Sequence, residues 1–194
     1  TAPTSANQQN VTYGIARDPS SNTPYVADYD NHRIMAYSSG ASSGSLVAGG
    51  NGIGLNNTQL YNSSSIYFDS SSNSLIIANR YAHNIVRWTL GDTQWILIAG
   101  STNGTQGSSS TLLTSPFGVT LDPMENVYVA DTSNHRIQLF MAGQLTGITI
   151  AGSVGVRGND SNLLWAPYAV ALDSQLNLYV ADRNNNRVQK YLRY

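Results

Sequence analysis

Four times in 194 residues the chain returns to the same strand-and-turn unit. Its fullest form is Val-Tyr-Val-Ala-Asp-Thr-Ser-Asn-His-Arg-Ile at 127–137, with counterparts at Pro24 to Ile34, Leu75 to Ile85 and Leu178 to Val188. Asp131 aligns with Asp28, Asn79 and Asp182, at spacings of 51, 52 and 51 residues. A period of this size marks a stacked supersecondary unit that cannot bury its apolar face alone. The repeats, approximately 13–63, 64–114, 115–165 and 166–194, therefore belong to one domain, preceded by a polar segment at 1–12.

Each unit reads as four short strands. In the third copy these are Phe117 to Asp122, Val127 to Ala130, Arg136 to Phe140 and Gly147 to Ala151. The second strand is almost wholly apolar, as befits a strand covered on both faces. Turn residues such as Asp122-Pro123 and Ala142-Gly143 punctuate the junctions. No helical periodicity is visible. Four-stranded units at this spacing predict an all-β chain, a β-propeller with one blade per repeat.

The residues also carry a family resemblance. Tyr-Val-Ala-Asp-x-x-Asn-His-Arg-Ile, preceded by Pro-x-Gly-Val-x-Leu-Asp at 116–122, resembles the NHL repeat. The resemblance extends over all four copies and implies a propeller of four-stranded antiparallel blades. It implies no single activity, because NHL-like propellers include protein-binding modules, RNA readers and metal-dependent amidating lyases.

Asp28/Arg33, Asp131/Arg136 and Asp182/Arg187 are expected to pair across the turn between second and third strands. The second copy has Asn79 and Asn84 instead, so both charges vanish together and an amide–amide contact is expected. His32, His83 and His135 hold equivalent turn positions, with Asn186 in the fourth copy. Their spacing around a ring makes them turn residues rather than one metal site, whose ligands would lie about 2 Å from the ion. Tyr37, Trp88, Phe140 and Tyr191 close the third strands and are read as blade-to-blade packing. Asp18, Asp69, Asp122 and Asp173 close the first strands and are read as turn caps. No catalytic constellation, metal set or cofactor motif emerges; the Gly-rich stretch at 48–54 lacks the helix and Lys of a phosphate loop.

Formal net charge is −1, with Lys190 the sole lysine and Glu125 the sole glutamate. So weak a cationic field argues against nucleic-acid partners. Cysteine is absent, which removes disulfides and thiolate chemistry. The longest apolar runs are too short to span a bilayer. Asn-x-Ser/Thr triplets at Asn10, Asn56, Asn62, Asn103 and Asn159 fall in expected loops, which points to an extracellular protein carrying N-linked glycans.

The fourth repeat stops after its third strand. Residues 1–12 are expected either to complete that blade or to reach a neighbouring molecule, since an unpaired edge is a template for strand addition. The resulting expectation is a non-enzymatic interaction or self-assembly scaffold, forming a homo-oligomer or filament by strand donation. The alternatives are a propeller enzyme of the amidating-lyase or lactonase type with an axial metal and, less favoured, an RNA-binding NHL module.

Overall fold

The computed structural model describes residues 8–193. Its strands form four small antiparallel meanders, one per repeat. Blade 1 contains β1 (Thr12–Arg17), β2 (Pro24–Asp28), β3 (Arg33–Ala36) and β4 (Ser45–Gly49). Blade 2 contains β5 (Ser63–Asp69), β6 (Ser74–Asn79), β7 (Asn84–Thr89) and β8 (Ile96–Gly100). Blade 3 contains β9 (Val119–Leu121), β10 (Val127–Asp131), β11 (Arg136–Phe140) and β12 (Gly147–Gly152). Blade 4 has β13 (Pro167–Leu172), β14 (Leu178–Asp182) and β15 (Arg187–Tyr191). This is a four-bladed β-propeller, as the period predicts, with the last blade three-stranded among the described residues.

The apolar second strands have a direct packing reason. Alternate residues of β6 project to opposite faces of the blade. Leu75 and Ile77 join the cluster with Tyr25, Ala27 and Ile34 of blade 1. Ile76 and Ala78 join Val119, Val129 and Phe140 of blade 3. A third cluster joins Ala130, Ile137 and Ala151 of blade 3 to Val170 and Val180 of blade 4. Blades thus pack in sequence order, and among the described residues no comparable cluster joins blade 4 to blade 1. The four blades form an arc with two end faces.

The aromatic residues closing the third strands show the same logic. Trp88 lies in the cluster shared with blade 1, Phe140 in that shared with blade 2, and Tyr191 against that shared with blade 3. Tyr37 on blade 1 is half-buried, and its hydroxyl accepts from Gln9.

Each full blade ends on an Ala-Gly pair whose glycine is required. Gly152 has φ +77°, and a Cβ there would sit 2.3 Å from the His135 carbonyl oxygen. Gly100 repeats this at 2.3 Å from the His83 oxygen, and Gly49 at 2.5 Å from that of His32. Only a residue without a Cβ lets the fourth strand approach the turn so closely.

Residues 1–7 of the proposed closing segment lie outside the described residues. The part that follows runs along blade 1's own turn. The Asn10 amide donates to Asp28 at 2.8 Å, the Tyr29 amide to the Val11 carbonyl at 3.0 Å, and Arg33 Nη2 to the Gln8 carbonyl at 2.8 Å. Thr12 already belongs to β1.

Candidate functional site

The recurring Asp-x-x-Asn-His-Arg turn is a compact joint. In blade 3 the Asp131 carboxylate accepts from the Thr114 amide at 2.8 Å, Asn134 Nδ2 at 2.8 Å and Arg136 Nε at 2.8 Å. Asp28 takes the same three kinds of donor from Asn10, Asn31 and Arg33, and Asp182 from Trp165, Asn185 and Arg187. Ion-pair distances are 2.7 Å for Arg33–Asp28, 2.8 Å for Arg136–Asp131 and 2.9 Å for Arg187–Asp182. Each arginine also reaches back to carbonyls of the loop that precedes its blade, as Arg136 Nη2 does to Ser109 and Leu112. The pair therefore fastens the interblade loop as well as the turn.

Blade 2 differs. Asn79 Oδ1 accepts from the Tyr61 amide at 2.6 Å, and Asn84 Nδ2 donates to the Ser101 carbonyl at 2.7 Å. The expected amide–amide bond between them does not form; Asn79 Nδ2 and Asn84 Oδ1 are buried without a partner. A shorter amide cannot span the gap that the guanidinium crosses in the other blades.

The turn histidines lie in the left-handed backbone region, at φ 53° for His32, 56° for His83 and 58° for His135. Each Nδ1 accepts a backbone N–H from the start of the next blade: Asn62 at 3.2 Å, Ser115 at 3.0 Å and Ala166 at 3.2 Å. Burial holds all three imidazoles below their ordinary pKa, in the neutral form this bond requires. They are latches between blades, a role the sequence reading did not reach. Among the described residues no three of His, Asp or Glu are grouped to hold a metal ion.

At the opposite end of the blades, the first-strand aspartates cap their own turns. Asp122 accepts from the Met124 and Asn126 amides, and Asp173 from those of Gln175 and Asn177. Hydrogen bonds from Ser21 and Ser20 lower the pKa of Asp18 to about 2. Asp69, Asp122 and Asp173 line a hollow of about 400 Å³ with Glu125. Arg87 bridges its rim, at 3.1 Å from Glu125 and 3.6 Å from Asp69.

The turn-bearing end carries a different set, built from positions the repeats do not share. Tyr13, Ser64, Phe117 and Tyr168 stand at or near the start of the first strands; the turns begin with Tyr29, Arg80, Thr132 and Arg183. Ser64 Oγ donates to the Phe117 carbonyl at 2.8 Å and Thr132 Oγ1 to that of Pro167 at 2.7 Å, each tying one blade to the next. The larger side chains stack. Arg80 lies 5.0 Å from the Tyr81 ring centre and 5.3 Å from that of Phe117. Phe117 stacks on Tyr168 at 4.1 Å, and Arg183 covers Tyr168 at 4.4 Å. Tyr13 meets Phe117 edge-on at 5.2 Å and Tyr29 at 4.8 Å. Arg80 Nη1 donates to the Tyr29 hydroxyl at 3.0 Å, while burial and the neighbouring Tyr81 hydroxyl push the Tyr29 phenol up to about 12.

The sequons divide by exposure. Asn56, Asn103 and Asn159 are exposed and Asn10 is half-buried. Asn62 is buried, its Nδ2 donating to the Tyr29 carbonyl and to Asp30 Oδ1. It departs from the exposed-loop expectation because it belongs to the joint between blades 1 and 2.

Four antiparallel blades, packed face to face and joined by a shared turn, define a β-propeller. Residues 113–140 and 164–191, in blades 3 and 4 of this propeller, each match the NHL repeat. No curated protein matches it in sequence. Among solved structures it is similar to an auxiliary nutrient binding protein from Bacteroides thetaiotaomicron, at 18% identity and TM-score 0.71, covering 94% of this chain and 48% of that one. A putative gluconolactonase superposes at 16% identity and TM-score 0.69, covering 97% of this chain and 61% of the other. A streptogramin B lyase does so at 12% identity and TM-score 0.60, covering 94% and 54%. The chain thus spans about half the length of these structures. At these identities the likeness is one of fold.

Proposed function

We propose that this propeller arc is a non-enzymatic scaffold for protein interaction or self-assembly, working outside the cell. The observation that carries this reading is the state of its two end faces. Ile15 on blade 1 is 69% exposed, whereas its counterparts Ile66, Val119 and Val170 are 5%, 5% and 9% exposed against the preceding blade. Val188 on blade 4 is 68% exposed, whereas Ile34, Ile85 and Ile137 are fully buried against the following blade. The end faces are the two halves of the contact made three times inside the arc. Burying one such side chain contributes about 1.5–3 kcal/mol. A partner that presents a blade-like surface, or a second copy meeting the first head to tail, fits them.

The outer edge of β15, which no strand pairs with among the described residues, adds to this. Beside it runs a groove of about 710 Å³ whose walls include Leu139 and Ile150 of blade 3 and Leu178 and Tyr191 of blade 4. In blades 1 to 3 the fourth strand occupies the corresponding edge. An added strand would pair there antiparallel to β15. Exposed Asn56, Asn103 and Asn159 support extracellular placement with N-linked glycans, which a glycosidase-sensitive mass shift after secretory expression would reveal.

Light scattering across a concentration series tests the scaffold reading. The protein should grow in mass with concentration, and Ile15→Asp or Val188→Asp should suppress that growth. A monomer at every concentration, with or without these substitutions, would sink the assembly reading. Stoichiometric metal with turnover of a lactone or peptide substrate would sink the non-enzymatic one.

A further inference from the structure

We propose that the arginine–aromatic ladder at the turn-bearing end is a docking site for an acidic segment of a partner polypeptide. The inference rests on the scaffold reading and names the chemistry of its partner. The ladder runs Tyr81, Arg80, Phe117, Tyr168, Arg183 and crosses blades 2, 3 and 4.

Three observations carry it. The first is charge without a counter-charge. Arg33, Arg87, Arg136 and Arg187 pair with carboxylates, but among the described residues Arg80 and Arg183 do not. Arg80 gives one hydrogen bond, to the Tyr29 hydroxyl, and Arg183 one, to its neighbour Asn184. The second is orientation. The Arg80 guanidinium lies against the Tyr81 and Phe117 rings and that of Arg183 against Tyr168, which limits their rotation. Arg80 Nε is buried without a partner, and the Nη2 group of each arginine remains to donate. A guanidinium edge matches the fork of a carboxylate, and pre-ordering by stacking lowers the entropy cost of that match. The third is the rim. Tyr13, Tyr81 and Trp165 are exposed there, and Arg157 covers the Trp165 ring at 5.2 Å. Exposed aromatic rings beside arginine are the residue types enriched in protein interfaces.

The remaining acids of the turn motif do not compete for these arginines, because Asp28, Asp131 and Asp182 are buried and already paired. A nucleic-acid backbone is a poorer fit. It demands a train of cations, and this chain has net charge −1 and one lysine.

The test uses two synthetic peptides, acetyl-Glu-Tyr-Glu-Glu-Tyr-Glu-amide and its Gln-for-Glu counterpart, titrated calorimetrically into the whole chain. The acidic peptide should bind and weaken with added salt, and the Gln peptide should bind at least about tenfold more weakly. Arg183→Gln, at an exposed side chain, should cost a similar factor, and Arg80→Gln should cost more. Arg17→Gln, away from the ladder, should leave binding unchanged. Equal affinity for both peptides, no binding of the acidic one, or equal losses in the Arg17 and Arg183 variants would overturn the site. Displacement of the peptide by equimolar inorganic phosphate would overturn its assignment to a polypeptide. Light scattering on Arg183→Gln separates the two readings: assembly that persists without peptide binding leaves the scaffold intact and removes only this site.

Discussion

His135 accepts the backbone N–H of Ala166 at Nδ1, 3.2 Å away, so a turn in blade 3 holds the start of blade 4. His32 and His83 do the same for blades 2 and 3. Only an unprotonated Nδ1 can accept that bond.

Stability should therefore fall in mild acid. All three imidazoles titrate below the ordinary value of 6.5 when folded, so the unfolded chain takes up protons first as pH drops. By linkage their contribution is complete above about 6.5 and is lost as pH falls from there through the folded values. Thermal unfolding between pH 8 and pH 5 should show Tm declining across that window. Replacing all three by Asn, the residue blade 4 uses at Asn186 with φ 52°, keeps the left-handed turn and should flatten the decline. An unchanged slope in that triple variant would refute the latch.

The Asp–Arg joints should differ in their sensitivity although the same two residue types pair in each. The Arg136 side chain is 2% exposed beside Asp131, whereas that of Arg187 is 29% exposed beside Asp182. Asp131→Ala leaves a guanidinium buried without its counter-charge and should cost about 3–5 kcal/mol. Asp182→Ala lets Arg187 turn toward water and should cost less. Urea denaturation of the two variants checks the order.

Much of the fold was legible because it resides in what the copies share. The period fixed the blade count, and the alternating apolar residues of β6 and β10 require a neighbour on either side. The ladder was not legible for the converse reason. Tyr13, Ser64, Phe117 and Tyr168 occupy one position with three different residue types, so comparing copies discards the variation that makes the surface. The histidine bonds were hidden differently: their partner is a backbone amide about 31 residues onward, which leaves no side-chain signature. Asn79 and Asn84 replace the Asp and Arg of the other copies together, but the distance between the amides depends on side-chain length within a fixed strand register.

The close approach of Gly152 to the His135 carbonyl gives a steric prediction. Gly152→Ala places a Cβ 2.3 Å from that oxygen at φ +77°, so the fourth strand must withdraw from the turn. A residue held in this region costs at least about 1 kcal/mol before the clash is counted. Gly143→Ala, at φ +73° with open space around it, carries the backbone cost alone. The difference in unfolding free energy between the two variants isolates the contact; equal losses would mean that the strand yields freely.

Blade 2 offers a gain-of-pair experiment. Asn79 and Asn84 sit opposite each other in β6 and β7, in the register that Asp131 and Arg136 occupy in β10 and β11. Asn79→Asp alone buries a carboxylate with no guanidinium beside it and should destabilise the protein by several kcal/mol. Asn84→Arg alone buries the opposite charge and should also destabilise. Together they recreate the pair, with Arg reaching the interblade loop as Arg136 does, and the double variant should be more stable than either single one. The coupling from a double-mutant cycle should exceed about 2 kcal/mol if the blade 2 backbone accepts the longer side chain. Additive losses would show instead that blade 2 has repacked around its two amides and no longer has room for the guanidinium.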